Sequence, residues 1–380
     1  MTGKKLLAVF ISVCLMVSLL TGCGDDGGGA GDSGKIKIGV SIWSSTDVLG
    51  SQCKKILDKA AEVLGDVELI YIDQGHVSEK VSTSVKTLID DGCKGVIICN
   101  SSDKEMPTII DSCNDSGVYA AQFFRIISEE DSSDIFEKAR DSEFFIGSVH
   151  ENEVENGQRL VQILIDKGCR NIGLIGWEQG DVTWLRRWEG YKAGVDEWNS
   201  SHVDDPATLF SPKYAGTTAE GGAKMAETLM SENPNMDALI PAGGGGEPLK
   251  GAVEAVKNAG KTDAIKIVST DFLPNLGELL STGPIAGESG GHYCDPLFAF
   301  MMVYQAVKGN MSGIRGSFVD MEFPYLYISS PEDYQAYEKY FVDRLPYTDD
   351  EIREMATMNA TGLQAKAGAL SIDDAKARLG

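Results

Sequence analysis

Between Asp237 and Asp271 the chain reads as strand, glycine loop, helix and second strand, and this unit constrains the fold more than any other stretch. Ala238, Leu239 and Ile240 form a short apolar run with strand character, and four glycines, residues 243–246, come after it. Leu249, Ala252, Val253 and Val256 then share one face of a helix that Gly260 stops. Residues 265–269 are a second apolar strand. Two parallel strands joined by a crossover helix put both flanking loops, 243–246 and 270–272, at one carboxyl edge of a sheet. Open α/β sheets hold their ligands at that edge.

The same alternation fills the chain from Lys35 onward. Residues 36–42, 67–72, 96–99 and 118–124 are strand-like, and the amphipathic helices between them stop at Gly65, Gly92 and Gly117. After a polar insert at 128–141 the pattern resumes with strands near 144–146 and 171–175. Trp184, Trp188, Tyr191, Val195 and Trp198 recur at helical spacing. Trp188, Tyr191 and Val195 read as core, while Trp184 sits near the loop end, where a ligand contact is open to it. Repeated short βα units predict parallel sheets covered on both faces. Two in series predict an α/β protein of two lobes with a cleft between facing carboxyl edges, and 380 residues suffice for both.

Charge and motifs narrow the function. The formal net charge of −23 repels phosphate backbones, which argues against nucleic acid as a partner. The glycine run continues into Glu247-Pro248, not Gly-Lys-Ser/Thr, so it is not a phosphate-binding P-loop. The pattern Gly29-x-Gly31-x-x-Gly34 precedes the first strand and reads as linker. H-E-x-x-H and G-x-S-x-G are absent, and histidines 76, 150, 202 and 292 are scattered without zinc spacing. No catalytic group, metal or cofactor is expected. Cys53, Cys93, Cys99, Cys113, Cys169 and Cys294 read as small buried hydrophobes, with a single bridge of the Cys93–Cys113 type left open.

Lys4 and Lys5 precede an apolar run, residues 6–20, that is too short to span a bilayer comfortably and reads as an export signal. Leu20-Thr-Gly-Cys23 resembles a bacterial lipobox. That resemblance implies a signal peptide at 1–22 and a membrane anchor through diacylated Cys23. Residues 23–34, rich in Gly, Asp and Ser, read as a flexible tether.

From about residue 35 to 309 the chain resembles the type I periplasmic sugar-binding proteins of the ribose and galactose kind. Lys35-Ile-Lys-Ile-Gly-Val-Ser-Ile42 is similar to the family's opening, and residues 92–103 to its G-x-x-G-I-I-I-N-P-x-D stretch. Arg187-Trp-Glu-Gly190-Tyr191 is similar to its R-x-x-G-F helix, and 237–271 to its last two βα units. The resemblance implies lobes at 35–148 with 292–311 and at 149–291 with 312–330, joined by crossings near Ser148, Gly291 and Ser312. It implies a monomer that closes on a small, sugar-like ligand and hands it to the permease subunits of an ABC importer. Presentation of a sugar, nucleoside or autoinducer-like molecule to a receptor kinase is the alternative. Ligand contacts implied by position are Trp43, Asp47, Asn100, Arg125 and Asp271. The chain departs from the family pattern at Phe124, which stands where an aspartate is usual, in the glycine run with Gly244 and Gly245, and at His292. His150, Glu151 and His292, near crossings, are candidates to supply the missing polar contacts. Residues 331–380 lie beyond the resemblance and read as a helical extension.

Overall fold

A computed structural model describes residues 34–75, 77–243, 247–310 and 318–380. The signal segment, Cys23, the tether to residue 33, His76, Gly244, Gly245 and the crossing expected near Ser312 lie outside the described residues.

The folded unit, 36–380, holds two sheets. The first runs, in spatial order, Val319–Phe323, Phe145–Glu151, Tyr119–Phe123, Gly95–Ile98, Ile36–Ile42 and Val67–Asp73, and its strand pairs are parallel. The second runs Leu326–Ile328, Ile285–Gly290, Lys266–Thr270, Ala238–Pro241, Asn171–Gly176 and an edge strand in two pieces, Thr208–Leu209 and Lys213–Tyr214, which both pair with Asn171–Gly176; Leu326–Ile328 is antiparallel to its neighbour. Counted from its own first strand, each sheet has the order 2-1-3-4-5-6. Such a sheet opens a crevice where the order reverses, between strands 1 and 3.

Strands with every side chain covered, such as Gly95–Ile98 and Ala238–Pro241, are the continuous apolar runs of the sequence, because helices cover both faces. Helix Asp295–Val307 is buried along nearly its whole length; it packs on the first sheet and is roofed by residues 331–380. The six cysteines of the folded unit are buried and unbridged.

The lobe boundaries differ from expectation in two places. Phe145–Glu151 belongs wholly to the first sheet, so the chain leaves that lobe after Glu151 rather than near Ser148. The segment 312–330, expected in the second lobe, is divided between the sheets in its described part. Val319–Phe323 pairs with Phe145–Glu151 in the first sheet, and Leu326–Ile328 with Ile285–Gly290 in the second. Pro324 lies between them; a proline supplies no ladder N–H, so the strand breaks there and the chain changes sheet.

Candidate ligand-binding cleft

Trp43 and Asn100 follow strands 1 and 3 of the first sheet, at its crevice. Trp177 and Gly243 hold the same places in the second sheet, and the Trp177 indole N–H donates to the Gly243 carbonyl at 2.6 Å. A Cβ on Gly243 would lie 1.7 Å from the Thr270 carbonyl oxygen, so only glycine lets these two loops meet.

On the first lobe, Arg125 is held by backbone. Its Nε–H donates to the Asn100 carbonyl at 3.2 Å and its Nη1–H to the Phe124 carbonyl at 2.7 Å. Asn100 is buried; its side-chain oxygen accepts from Gln122 at 2.6 Å, and Gln122 in turn accepts from Ser148 at 2.8 Å. The Asn100 amide nitrogen is buried without a partner, a donor the fold leaves unused. Phe124 has φ of 58°, a strained value for a bulky residue. That turn aims its ring between Trp43, 5.7 Å away, and His292, 5.1 Å away.

On the second lobe, Glu153 begins one helix and Arg187 lies near the start of the next. They form a two-point ion pair at 2.6 and 3.0 Å, and the Tyr325 hydroxyl joins both, donating to Glu153 at 3.0 Å and accepting from Arg187 at 3.2 Å. Burial pushes Glu153 upward, but the Arg187 charge and hydrogen bonds hold it below the usual carboxylate range. Asp271 sits at φ of 72° and brings Oδ1 to 3.5 Å from His292 Nε2.

The three crossings meet at this place. Glu151 ends the first, His292 opens the turn that leads the second into its helix, and Tyr325 comes after Pro324 in the third. His292 packs edge-on against Phe124 and Tyr325, the latter at 4.9 Å, so aromatic rings run from one lobe to the other. Burial lowers the His292 pKa, against the charges of Asp271 and Glu153 that raise it, and keeps the imidazole neutral at pH 7. Beneath the cleft, burial raises the carboxyls of Glu151 and Asp295, and the Asp295 charge raises Glu151 further. One oxygen of each is buried without a donor, an arrangement one shared proton satisfies.

The cleft brings together Trp43, Asn100, Phe124, Arg125, Asp271 and His292, and Glu151 lies buried beneath it. It does not use three others as expected. Trp184 is fully buried in the core of the second lobe, its ring lying over Gly176 and beside Tyr191, because it continues the apolar stripe of its helix. His150 Nε2 binds Asp320 at 2.6 Å across the neighbouring strand. Asp47 caps helix Val48–Leu64 through Gly50 N–H at 2.7 Å and accepts the Trp43 indole N–H at 2.5 Å, so it orients that ring. Sequence reading missed Trp177, Glu153, Tyr325 and Asp295 and left Arg187 as a motif letter. Trp177 carried a usable signal, since it comes directly after its strand as Trp43 does after its own.

Two lobes with facing crevices, joined by three crossings that converge on a buried polar and aromatic cluster, define a hinged solute-binding protein. Residues 38–307 match the periplasmic binding protein domain, and the chain belongs to that family of non-catalytic, extracytoplasmic solute-binding proteins. It is 25% identical over 260 residues to the D-galactose/methyl-galactoside binding periplasmic protein of Haemophilus influenzae, covering 66% of this chain and 75% of that one. Its fold is similar to an ABC transporter solute-binding protein of Bacillus halodurans with bound myo-inositol, with a TM-score of 0.65 at 20% identity, covering 81% of this chain and 99% of that one. A solute-binding protein of Actinobacillus succinogenes with bound D-allose gives a TM-score of 0.65 at 13% identity, covering 78% and 98%.

Proposed function

We propose that this protein captures a carbohydrate-like small molecule by closure of its lobes and delivers it to an ABC importer, anchored outside the cell membrane through Cys23. The observation that carries the reading is the arrangement around His292. A guanidinium fixed by two carbonyls, a carboxylate and flat rings converge where the crossings meet. Arginine and carboxylate each make paired hydrogen bonds to neighbouring hydroxyls, and aromatic faces cover the C–H side of a sugar ring. Trp43, Asn100, Phe124, Arg125, Asp271 and His292 are the proposed ligand contacts. Bound sugars and a cyclic polyol in the fold relatives support the ligand class, and the Haemophilus relative supports a sugar in particular.

A thermal-shift panel of sugars, polyols and nucleosides tests the ligand class. A ligand at 100 times its dissociation constant stabilises by about 2.7 kcal/mol. The expected result is a sugar shift that Arg125→Ala abolishes; a shift with nucleosides alone overturns the sugar. Fractionation of cells expressing Cys23→Ser tests the anchor, with release from the membrane fraction expected.

A further inference from the structure

Beside the cleft lies a chamber of 480 Å³, between helices Val48–Leu64 and Glu247–Asn258. That volume falls among small-molecule pockets, roughly 300–1,000 Å³. Asp271 and His292 line it and are shared with the cleft, whereas Arg125, Glu153 and Arg187 do not line it. A group bound to Arg125 therefore leaves the chamber for another part of the same molecule. His292 Nδ1 is buried and without a partner at this junction, in a residue only 6% exposed. The chamber wall is built for an amphipathic ring. Phe272 lines it with the buried Tyr337 edge to face behind, the rings 4.7 Å apart. Glu247, Lys250, Glu254 and Lys257 also line it, recur at helical spacing and bring charged donors and acceptors to the chamber.

We propose that the ligand is a disaccharide, with one ring in the cleft and the second in this chamber. This rests on the sugar reading above and adds the size of the sugar. The junction residues Asp271 and His292 then face the glycosidic linkage, and the chamber selects the second ring.

Calorimetric titration of the full-length protein in detergent with monosaccharides, their methyl glycosides and disaccharides of the same sugars tests it. A disaccharide is expected to bind at least tenfold more tightly than its best constituent monosaccharide. Val48→Trp fills the chamber mouth from a half-exposed position, at 51% exposure. It should remove that advantage while the monosaccharide affinity changes less than twofold. Lys250→Ala with Glu254→Ala, both at the wall, serves if Val48→Trp does not fold, and should weaken only the disaccharide. Equal binding of both sizes, unchanged in these variants, overturns the chamber assignment and leaves the sugar reading intact. No binding by carbohydrates of either size overturns the sugar reading and the disaccharide with it.

Discussion

Arg187 and Glu153 show what a buried pair does in this molecule. Their heads are 6% and 19% exposed, so neither charge is well hydrated without the other. Replacing Arg187 by alanine leaves the carboxylate and the Tyr325 hydroxyl without their cation, and removing one partner of a buried pair costs about 3–5 kcal/mol. Chemical denaturation of Arg187→Ala should show a loss of that size, and Arg187→Ala with Glu153→Gln should recover part of it. Glu288 is a different case. It is fully buried, accepts the Leu273 N–H at 2.8 Å, and burial pushes its pKa to about 8 from 4.5. The folded state therefore holds a proton that the unfolded chain releases. Stability from this group is present below pH 4.5 and is lost as pH rises toward 8, at about 1.4 kcal/mol per unit across that window. Urea midpoints at several pH values should fall more steeply for the natural protein than for Glu288→Gln.

Helices Glu153–Asp166 and Val182–Ser201 carry Glu153 and Arg187, and two glycines set how close they come. A Cβ on Gly190 would lie 2.1 Å from the Val154 carbonyl oxygen, and one on Gly157 2.4 Å from the Arg187 carbonyl oxygen. Both obstacles are backbone, so neither helix yields by a rotamer change. Gly190→Ala should spread the pair, cost about 1–3 kcal/mol as overpacking does, and weaken ligand binding through Tyr325, which bonds Arg187 and packs on His292. Thermal unfolding and titration of the variant check both effects. Elements of this kind were legible because apolar spacing and glycine stops are local. The loops after strands 1 and 3 were legible from the βα order, which put Trp43 and Asn100 at strand ends, whereas Arg125 and Asp271, after the fourth strand of each sheet, were nominated through the family resemblance. Tyr325 and Asp295 were not legible. They reach the cleft only because the chain recrosses between lobes, which no local period records. Trp184 misled because its spacing served the core as well as the loop.

At the scale of the molecule, two sets of contacts outside the cleft bear on how the lobes move. At one, Arg186 of the second lobe binds Asp131, with Glu130 at 3.8 Å, on helix Glu129–Arg140 of the first. Exposed pairs of this kind contribute about 0.2–1 kcal/mol, so Arg186→Glu should barely move the melting temperature yet speed ligand release, most at low salt. The extension is the stronger clamp. It is fixed to the first lobe by Tyr293, which donates to the Phe341 carbonyl at 2.7 Å, and by Gln305, which donates to the Met355 carbonyl at 2.8 Å. Its start reaches the second lobe, where the Tyr334 ring lies on Gly277 and Tyr337 meets Phe272. Rotation of the lobes about the crossings must pull these rings off Gly277 and Phe272 or bend the extension, and the buried bonds to the first lobe oppose bending. Opening thus carries the loss of an aromatic contact, about 0.5–1.5 kcal/mol for each ring pair beyond its buried area. Tyr334→Ala, on the partly exposed ring, removes the contact with Gly277 and lowers that resistance, while the buried anchors and the Tyr337–Phe272 pair stay in place. Small-angle scattering of the ligand-free variant should give a larger radius of gyration, and stopped-flow dissociation should be severalfold faster. Unchanged scattering and release would mean that the extension moves with the first lobe and that closure is governed by the crossings alone.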